Sequence, residues 1–171
     1  SSYYLNKAKG LTFFIRNTNI KNGFLETATT HFVAAKDFKR FVSTGDILTT
    51  RVGSIGSFGI VTEKFNGSVF SDNVLKIRLK NNLLPEIYTL YFNSWPNQKL
   101  MERITGGSVQ PLVTKTTLKQ IVIPIFNLKL QTEISSKVQK SFTLKTASKR
   151  LLTLAKTAVE RAIESSEAEA L

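Results

Sequence analysis

Cysteine is missing from the 171-residue chain, and its absence removes several kinds of chemistry at once. Without it there are no disulfides, no thiolate zinc sites and no cysteine nucleophiles. No run of about eighteen apolar residues occurs, so the sequence contains no candidate membrane span. The opening residues, SSYYLNKAKG, lack the apolar core of a signal peptide. These absences predict a soluble, cytoplasmic protein.

Histidine occurs once, as His31, and this scarcity excludes catalytic arrangements built on histidine. A Ser-His-Asp triad or a histidine metal cage needs partners that the sequence does not supply, so we interpret His31 as structural. Gly53, Gly56 and Gly59 match neither a P-loop nor a dinucleotide fingerprint. The Asn-Pro-Pro-aromatic motif of adenine methyltransferases and a nuclease-like acidic cluster are also missing. We therefore expect no catalysis by this chain alone, no metal and no cofactor.

Negative charge is scarce, since 24 lysines and arginines stand against 12 aspartates and glutamates, a net charge of +12. Residues 1–127 hold 16 basic and 7 acidic residues, and residues 128–156 hold 7 and 1. Residues 157–171 reverse the sign, with 1 basic and 4 acidic residues. Such a surplus attracts polyanions, and nucleic acid is the usual one. There are two alternatives. The charge only confers solubility, or it binds the protein to an anionic membrane surface.

Short runs of β-branched and aromatic residues predict strands at residues 11–15, 46–52, 58–64, 69–79 and 120–125. Gly53 and Gly56 join the second strand to the third in a hairpin, because glycine readily adopts positive φ. Asp46 and Asp72 are interpreted as turn caps rather than metal ligands. Pro85 and Pro96 each favour the start of a short helix, the first over residues 86–93 and the second ending near residue 103.

Glycine and proline are both absent from residues 128–171, which favours one long helix, predicted over residues 131–168. Its length would be roughly 57 Å. A seven-residue repeat of apolar and small side chains predicts a coiled coil. The expected interface, exposed in a monomer, consists of Ile134, Val138, Leu144, Leu151, Leu152, Ala155, Val159 and Ile163, with small residues that allow close approach at Ser141, Ser148 and Ala162. The alternative is a helix that lies along its own domain.

The predicted fold class is therefore α+β, with two parts. Residues 1–127 form a mixed, mainly β globular domain with short helices. Residues 128–171 form one long coiled-coil-type α-helix. The basic charge of the first part and the helical interface of the second suggest separate roles in binding.

Four stretches of the sequence resemble one half of the specificity subunit of type I restriction-modification systems. They are GLTFFIRNTNIKNG (residues 10–23), GDILTTRVGSIGSFGIVTE (45–63), TGGSVQPLVTKTTLKQIVIPI (105–125) and the long helix. The second is the most specific, since it is similar to the family's Gly-Asp-Ile-Leu…Arg-x-Gly-Ser-x-Gly hairpin. Of the family's usual Glu-Gln dipeptide only Gln131 is present. The family normally carries two recognition domains and two helices, so we expect a half subunit, a fragment or part of a larger fusion.

The resemblance implies that the globular part is a target recognition domain that binds one half of a split double-stranded DNA target. It implies that the helix is a spacer that docks modification (methyltransferase) subunits, which would carry S-adenosylmethionine. A restriction (nuclease) subunit is a further candidate partner, and the single helix favours a homodimer. The alternatives are the C-terminal recognition part of a fused endonuclease-methyltransferase and a generic nucleic-acid-binding protein.

DNA recognition needs both phosphate anchors and base readers. The matched stretches and the predicted strand ends supply eight candidates: Arg16, Asn17, Arg51, Ser54, Lys64, Asn73, Gln110 and Lys115. Arg51 and Ser54 form the best pair, because they lie in the most specific stretch. For each candidate the alternative is a structural role in holding a loop.

Overall fold

The computed structural model describes residues 3–27, 31–53, 55–80, 82–106 and 112–169. Its strands are β1 Leu11–Ile15, β2 Ile20–Lys21, β3 Phe24–Leu25, β4 His31–Ala34, β5 Ile47–Thr50, β6 Phe58–Ile60, β7 Val69–Phe70 and β8 Val74–Ile77. Its helices are α1 Pro85–Phe92, α2 Trp95–Thr105, α3 Lys115–Leu118 and α4 Leu128–Glu169. A mainly β body followed by one long helix confirms the predicted fold class.

Two three-stranded sheets form the body. β1 lies in the middle of the first, antiparallel to β4 and parallel to β7. β5 lies in the middle of the second, antiparallel to β6 and β8. Ile15, Leu48, Phe70 and Val74 come from different strands of both sheets and share one buried cluster. The two sheets therefore pack around a common core, which brings their strand ends close together.

A second core holds α1 and α2 against the β5–β6 hairpin. Tyr88, Phe92 and Met101 are buried there with Ile47 and Phe58. The rings of Phe58 and Phe92 stack with their centroids 4.9 Å apart. Both helices carry proline in the first turn, as predicted, because the proline nitrogen would have no helical partner there.

The predicted strand at residues 69–79 is wrong as a single element. The chain turns at residues 71–73, with the amide of Val74 donating to the carbonyl of Ser71 at 3.0 Å. As a result β7 joins the first sheet and β8 joins the second. The residues predicted as one strand therefore form two strands, and the turn between them connects the two sheets.

The predicted strand at residues 120–125 is also wrong, since this stretch has no strand neighbour in the described part of the chain. Tyrosine hydroxyl groups satisfy its backbone instead. Tyr88 donates to the carbonyl of Pro124 at 3.0 Å, and Tyr91 donates to the carbonyl of Val122 at 2.6 Å. The segment is therefore held against α1 without strand pairing.

The long helix α4 begins three residues before its predicted start and runs for 42 residues. Asn127 precedes it and caps it, because its Oδ1 accepts a hydrogen bond from the amide of Leu130 at 2.9 Å. Gln131 is buried and makes two bonds at the base of the helix. Its Oε1 accepts from the amide of Leu84 at 2.9 Å, and its Nε2 donates to the carbonyl of Phe126 at 2.9 Å. These bonds fix the helix to the body.

Candidate nucleic-acid interface

The ends of several strands converge at one edge of the body. β1 and β7 are parallel, with Ile15 paired with Phe70, so the chain leaves both strands on the same side. β5 and β8 are antiparallel, with Thr50 paired with Val74, so the end of β5 meets the start of β8. This topology brings the residues that follow β1, β5 and β7 together, although they are far apart in sequence.

The converging strand ends enclose a cleft of about 470 Å³, here called the β1 cleft. Aromatic side chains line it together with polar and charged ones. The lining residues are Tyr3, Phe14, Arg16, Asn17, Phe38, Lys39, Arg40, Phe70, Ser71, Asp72 and Asn73. Three cations and one carboxylate are among them, so the cleft is basic, as a surface that binds DNA requires.

Arg51 contacts the rim of this cleft. Its amide donates to the carbonyl of Asn73 at 2.9 Å, and its Nη1 donates to the carbonyl of Asp72 at 3.3 Å. The Nε atom of Arg51 is enclosed and has no hydrogen-bond partner in the described part of the chain. The bond from Nη1 holds the guanidinium beside Asp72, a residue that lines the cleft.

The structure brings four predicted contact residues to this edge: Arg16, Asn17, Arg51 and Asn73. The side chains of Arg16 and Asn17 are half-buried and that of Asn73 is exposed. Asn17 approaches the tip of the β5–β6 hairpin, since a Cβ atom added at Gly53 would lie 3.8 Å from Asn17 Nδ2. Gly53 and Gly56 have φ of 85° and 90°, which confirms the predicted need for glycine in this hairpin.

Three other candidates have less direct placements. Ser54 and Gln110 lie outside the described residues. Lys115 is exposed in the first turn of α3. It follows Val113 by two positions, and the amide of Val113 donates to the carbonyl of Arg51 at 2.9 Å. Lys115 therefore lies on a segment joined to the end of β5, beside the cleft.

Lys64 lies in a different place, which separates it from the cleft residues. It lines a groove of about 410 Å³ between the body and α4, together with Phe24, Lys145 and Lys149. Phe13 contacts Phe65 beside this groove, with ring centroids 5.4 Å apart, whereas its neighbour Phe14 lines the β1 cleft. Neighbouring residues of a strand point to opposite faces, so the groove and the cleft lie on opposite sides of the first sheet.

Lys145 joins the helix to this groove. Its Nζ lies 3.0 Å from the centroid of the Phe24 ring. Desolvation by the surrounding groups, and then repulsion from Lys149, lower the pKa of Lys145 below its ordinary value of 10.5, while Glu26 opposes the shift. The contact places the ammonium group of Lys145 over an aromatic face, which favours its charged form. The positive charge of Lys149 disfavours that charged form.

The sequence analysis missed Lys39 and Arg40, which line the cleft without belonging to any motif. The guanidinium of Arg40 forms an ion pair with Asp72 and lies 5.4 Å from the Phe70 ring centroid. The only available signal was the adjacent pair of cations next to Phe38, and such pairs are common on protein surfaces.

Asp46 has the structural role predicted for it. Its side chain is almost fully buried, and Oδ2 accepts from the amide of Ser43 at 2.8 Å. Arg78 forms a bidentate pair with it, with Nε donating to Oδ1 at 2.7 Å and Nη2 to Oδ2 at 2.9 Å. This hydrogen bond, and then the charge of Asp46, raise the pKa of Arg78. Asp46 therefore fixes the loop before β5 and joins it to β8.

The predicted helical interface divides into two groups. Ile134 and Val138 are half-buried, and Ile134 packs into the second core, so the prediction that the exposed stripe begins at Ile134 is wrong. Ile134, Val138 and Phe142 are spaced by four, which places them on the side of α4 that faces the body. The alternative of a helix that lies along its own domain thus holds for these first turns.

Beyond Phe142 the apolar residues of α4 are exposed. Exposed fractions are 60% for Leu144, 65% for Leu151, 69% for Leu152, 60% for Val159 and 53% for Ile163. Ala155, which is also exposed, belongs to the same face. At about 100° per residue this stripe is centred roughly 80° around the helix from the side that meets the body. The exposed fractions show that the body leaves it uncovered.

The described residues contain no group of three or more acidic or histidine side chains placed to hold a metal ion. Within the same ranges, none of the helices combines the length and the apolar character that crossing a bilayer would require. The described part of the chain thus offers its charged cleft, its groove and its helical stripe as candidate contact surfaces.

Comparison with known proteins gives one family. Residues 2–154 match the sequence model of a family described as type I restriction modification DNA specificity domain. A solved chain from a study of complex assembly and conformational transition in the type I R-M system is 18% identical, with a TM-score of 0.61, over 94% of this chain and 43% of that one. The HsdS subunit from Thermoanaerobacter tengcongensis is 16% identical, with a TM-score of 0.58, over 82% of this chain and 38% of that one. No curated protein sequence matches.

Proposed function

Because the chain belongs to the family of type I restriction modification DNA specificity domains, we propose that its body reads one half of a split duplex target through the β1 cleft. The observation that carries this proposal is the convergence of Arg16, Asn17, Arg51 and Asn73 at one basic edge. Arginine and asparagine are the side chains that bond guanine and adenine edges in a bidentate manner.

The division of the cleft into two kinds of contact also supports DNA as its ligand. Lys39 and Arg40 lie on the rim, where the charged phosphates of a duplex would pass. Asn17 and Asn73 carry amides that both donate and accept, which base edges require. The cleft thus offers backbone anchors and base readers side by side.

The proposal assigns no catalytic step and no cofactor to this chain. Methyl transfer would belong to modification subunits that carry S-adenosylmethionine, and cleavage would belong to a restriction subunit. Since the chain spans 43% and 38% of the two solved chains, it could equally form the recognition part of a fused endonuclease-methyltransferase. A cytoplasmic location stays a prediction.

The exposed stripe of α4 supports an assembly through this helix. Leu144, Leu151, Leu152 and Val159 form an apolar face that is long for a solvated surface and typical of an interface. Ser141, Ser148 and Ala162 would let a second helix approach closely. A two-fold homodimer covers both stripes at once, because a two-fold interface is self-complementary. A modification subunit would be the other candidate to cover this face.

A salt titration of duplex binding tests the proposed function. If the body neutralises about five phosphates, log K should fall with log salt at a slope near −4.5, roughly −0.9 per phosphate. A slope flatter than about −1 would contradict DNA as the ligand. Equal binding to every duplex sequence would mean that the protein is only a generic polyanion binder.

A further inference from the structure

Asp72 is the single carboxylate among the described residues that line the β1 cleft. Its side chain is 85% exposed, and it forms an ion pair with Arg40, which is itself 62% exposed. Its backbone carbonyl accepts the hydrogen bond from Arg51 Nη1 at 3.3 Å. One residue therefore holds two of the arginines at this edge, one by its side chain and the other by its main chain.

A phosphate could replace the carboxylate at Arg40. Guanidinium groups pair with carboxylates and phosphates in the same planar, bidentate way. Exposed ion pairs contribute little to stability, so exchanging one partner for another costs little. The exchange would leave the carboxylate of Asp72 facing the duplex without a cation.

We infer that Asp72 is a specificity-determining residue of the cleft, an inference that rests on the proposed function. An ionised carboxylate only accepts hydrogen bonds. It repels phosphates and the guanine N7, guanine O6 and thymine O4 acceptors, and it accepts a bond from the exocyclic amino group of cytosine or adenine. The basic cleft attracts any duplex, and Asp72 disfavours those that place no amino group opposite it.

The test compares the unchanged chain with Asp72→Asn. The substitution keeps the size of the side chain and the carbonyl that Arg51 uses, and it removes the charge. Both proteins are used to enrich a randomised duplex library, and their affinities for the enriched duplex and for a short scrambled duplex are measured. Asparagine keeps an acceptor, gains a donor and loses the charge that repels other acceptors, so the variant should change its preference at one base pair, and the ratio of the two affinities, both measured with the duplex that the unchanged chain enriches, should fall by at least about fivefold. Tighter binding to the scrambled duplex should account for most of that fall.

Two control variants isolate the position of the charge. Glu102→Gln removes one carboxylate from an exposed place on α2, outside the cleft, and should leave the ratio unchanged. Asp72→Glu keeps a carboxylate at the cleft and should keep most of the preference. Thermal unfolding of each variant checks that the fold is retained.

Several results would overturn the inference. One is the same enriched motif and the same ratio for Asp72→Asn as for the unchanged chain. A second is equal weakening toward every duplex, which would make Asp72 only a positioning residue for Arg40. A third is an equal effect of Glu102→Gln. If the unchanged chain itself binds no duplex, the proposed function fails first, and this outcome is distinct from the other three.

Discussion

The globular body buries its apolar residues, whereas the far half of α4 exposes them to solvent. In the body, Val33, Leu48 and Phe58 are fully buried. In the helix, Leu151 and Leu152 are about two-thirds exposed, at 65% and 69%. The body closes its cores with its own residues and the start of α4, whereas no described residue of the chain covers the apolar stripe of the helix. The contrast supports the proposal that a second chain covers the apolar stripe of the helix.

Breaking the proposed helical interface should have the largest of the predicted effects, a change of oligomeric state. Leu152→Glu combined with Val159→Glu should convert a homodimer to a monomer, because each buried leucine or valine contributes about 1.5–3 kcal/mol and each glutamate adds a charge. Light scattering at micromolar concentration measures the mass. Circular dichroism should show that the body stays folded, because these residues do not touch it.

A control places two glutamates elsewhere on α4 and also removes one cation. Arg150→Glu combined with Thr153→Glu lies outside the stripe and should leave the dimer intact. A monomer mass for the unchanged chain would rule out the homodimer, and a modification subunit would then be the remaining candidate to cover the stripe.

Removing the best-placed arginine of the body should have an intermediate effect. Arg51→Ala should weaken duplex binding by roughly 1–3 kcal/mol and abolish discrimination at one base pair if Arg51 reads guanine. A uniform loss over all sequences would assign it to a phosphate. Competition binding with single-base variants of the target distinguishes these two outcomes.

Arg103→Ala is the matched control, since Arg103 is exposed on α2 and lies outside the cleft. Unchanged binding by folded Arg51→Ala would mean that the hairpin is purely structural. Arg16 and Gln110 would then be the next residues to test.

A substitution at Lys145, where the helix meets the body, should have the smallest of these effects, a small shift in melting temperature. The folded state lowers the pKa of Lys145 below 10.5, so it binds this proton less tightly than the unfolded chain does. The charge therefore opposes folding at neutral pH, and this cost should fade as the pH rises toward 10.5. Lys145→Met keeps the contact with Phe24 and removes the charge. It should raise the melting temperature at pH 7 by less than about 2–4 °C, with the difference shrinking at higher pH.

Lys149→Met serves as a comparison, because it removes the cation that repels Lys145 and leaves the ring contact in place. It should lessen the pH dependence without abolishing it. A lower melting temperature for Lys145→Met at pH 7 would mean that attraction between the cation and the ring outweighs desolvation.

Local patterns predicted the elements that depend on local chemistry. The hairpin at Gly53 and Gly56, the helix after Pro85 and the long helix follow from residues within each segment, and all three are confirmed. The stretch at 120–125 failed because two tyrosines from α1 satisfy carbonyls that a neighbouring strand was expected to bond. Such a contact depends on the tertiary fold and leaves no periodic signal.

The candidate site was predictable only in part, and for a related reason. Asn17 and Asn73 were selected separately, and the parallel pairing of β1 with β7 brings them to one cleft. Lys64 was selected in the same way, yet it lines the groove on the other side of the first sheet. Lys39 and Arg40 carry no local signal. The strand pairing decides which cations meet, and it joins residues that are distant in sequence.

The two hydrogen bonds of Gln131 make the joint between body and helix stiff against bending and twisting. Apolar contacts allow surfaces to slide, whereas hydrogen bonds lose strength when their angle changes. From Gln131 to Ile163 the helix extends about 48 Å, so a tilt of about 10° at its base would displace its far end by about 8 Å. That distance exceeds two base-pair rises of about 3.4 Å along a duplex. The angular accuracy with which a second recognition body would be held over its own half of the target thus depends on this buried amide together with the contacts of Ile134 and Lys145 farther along the helix.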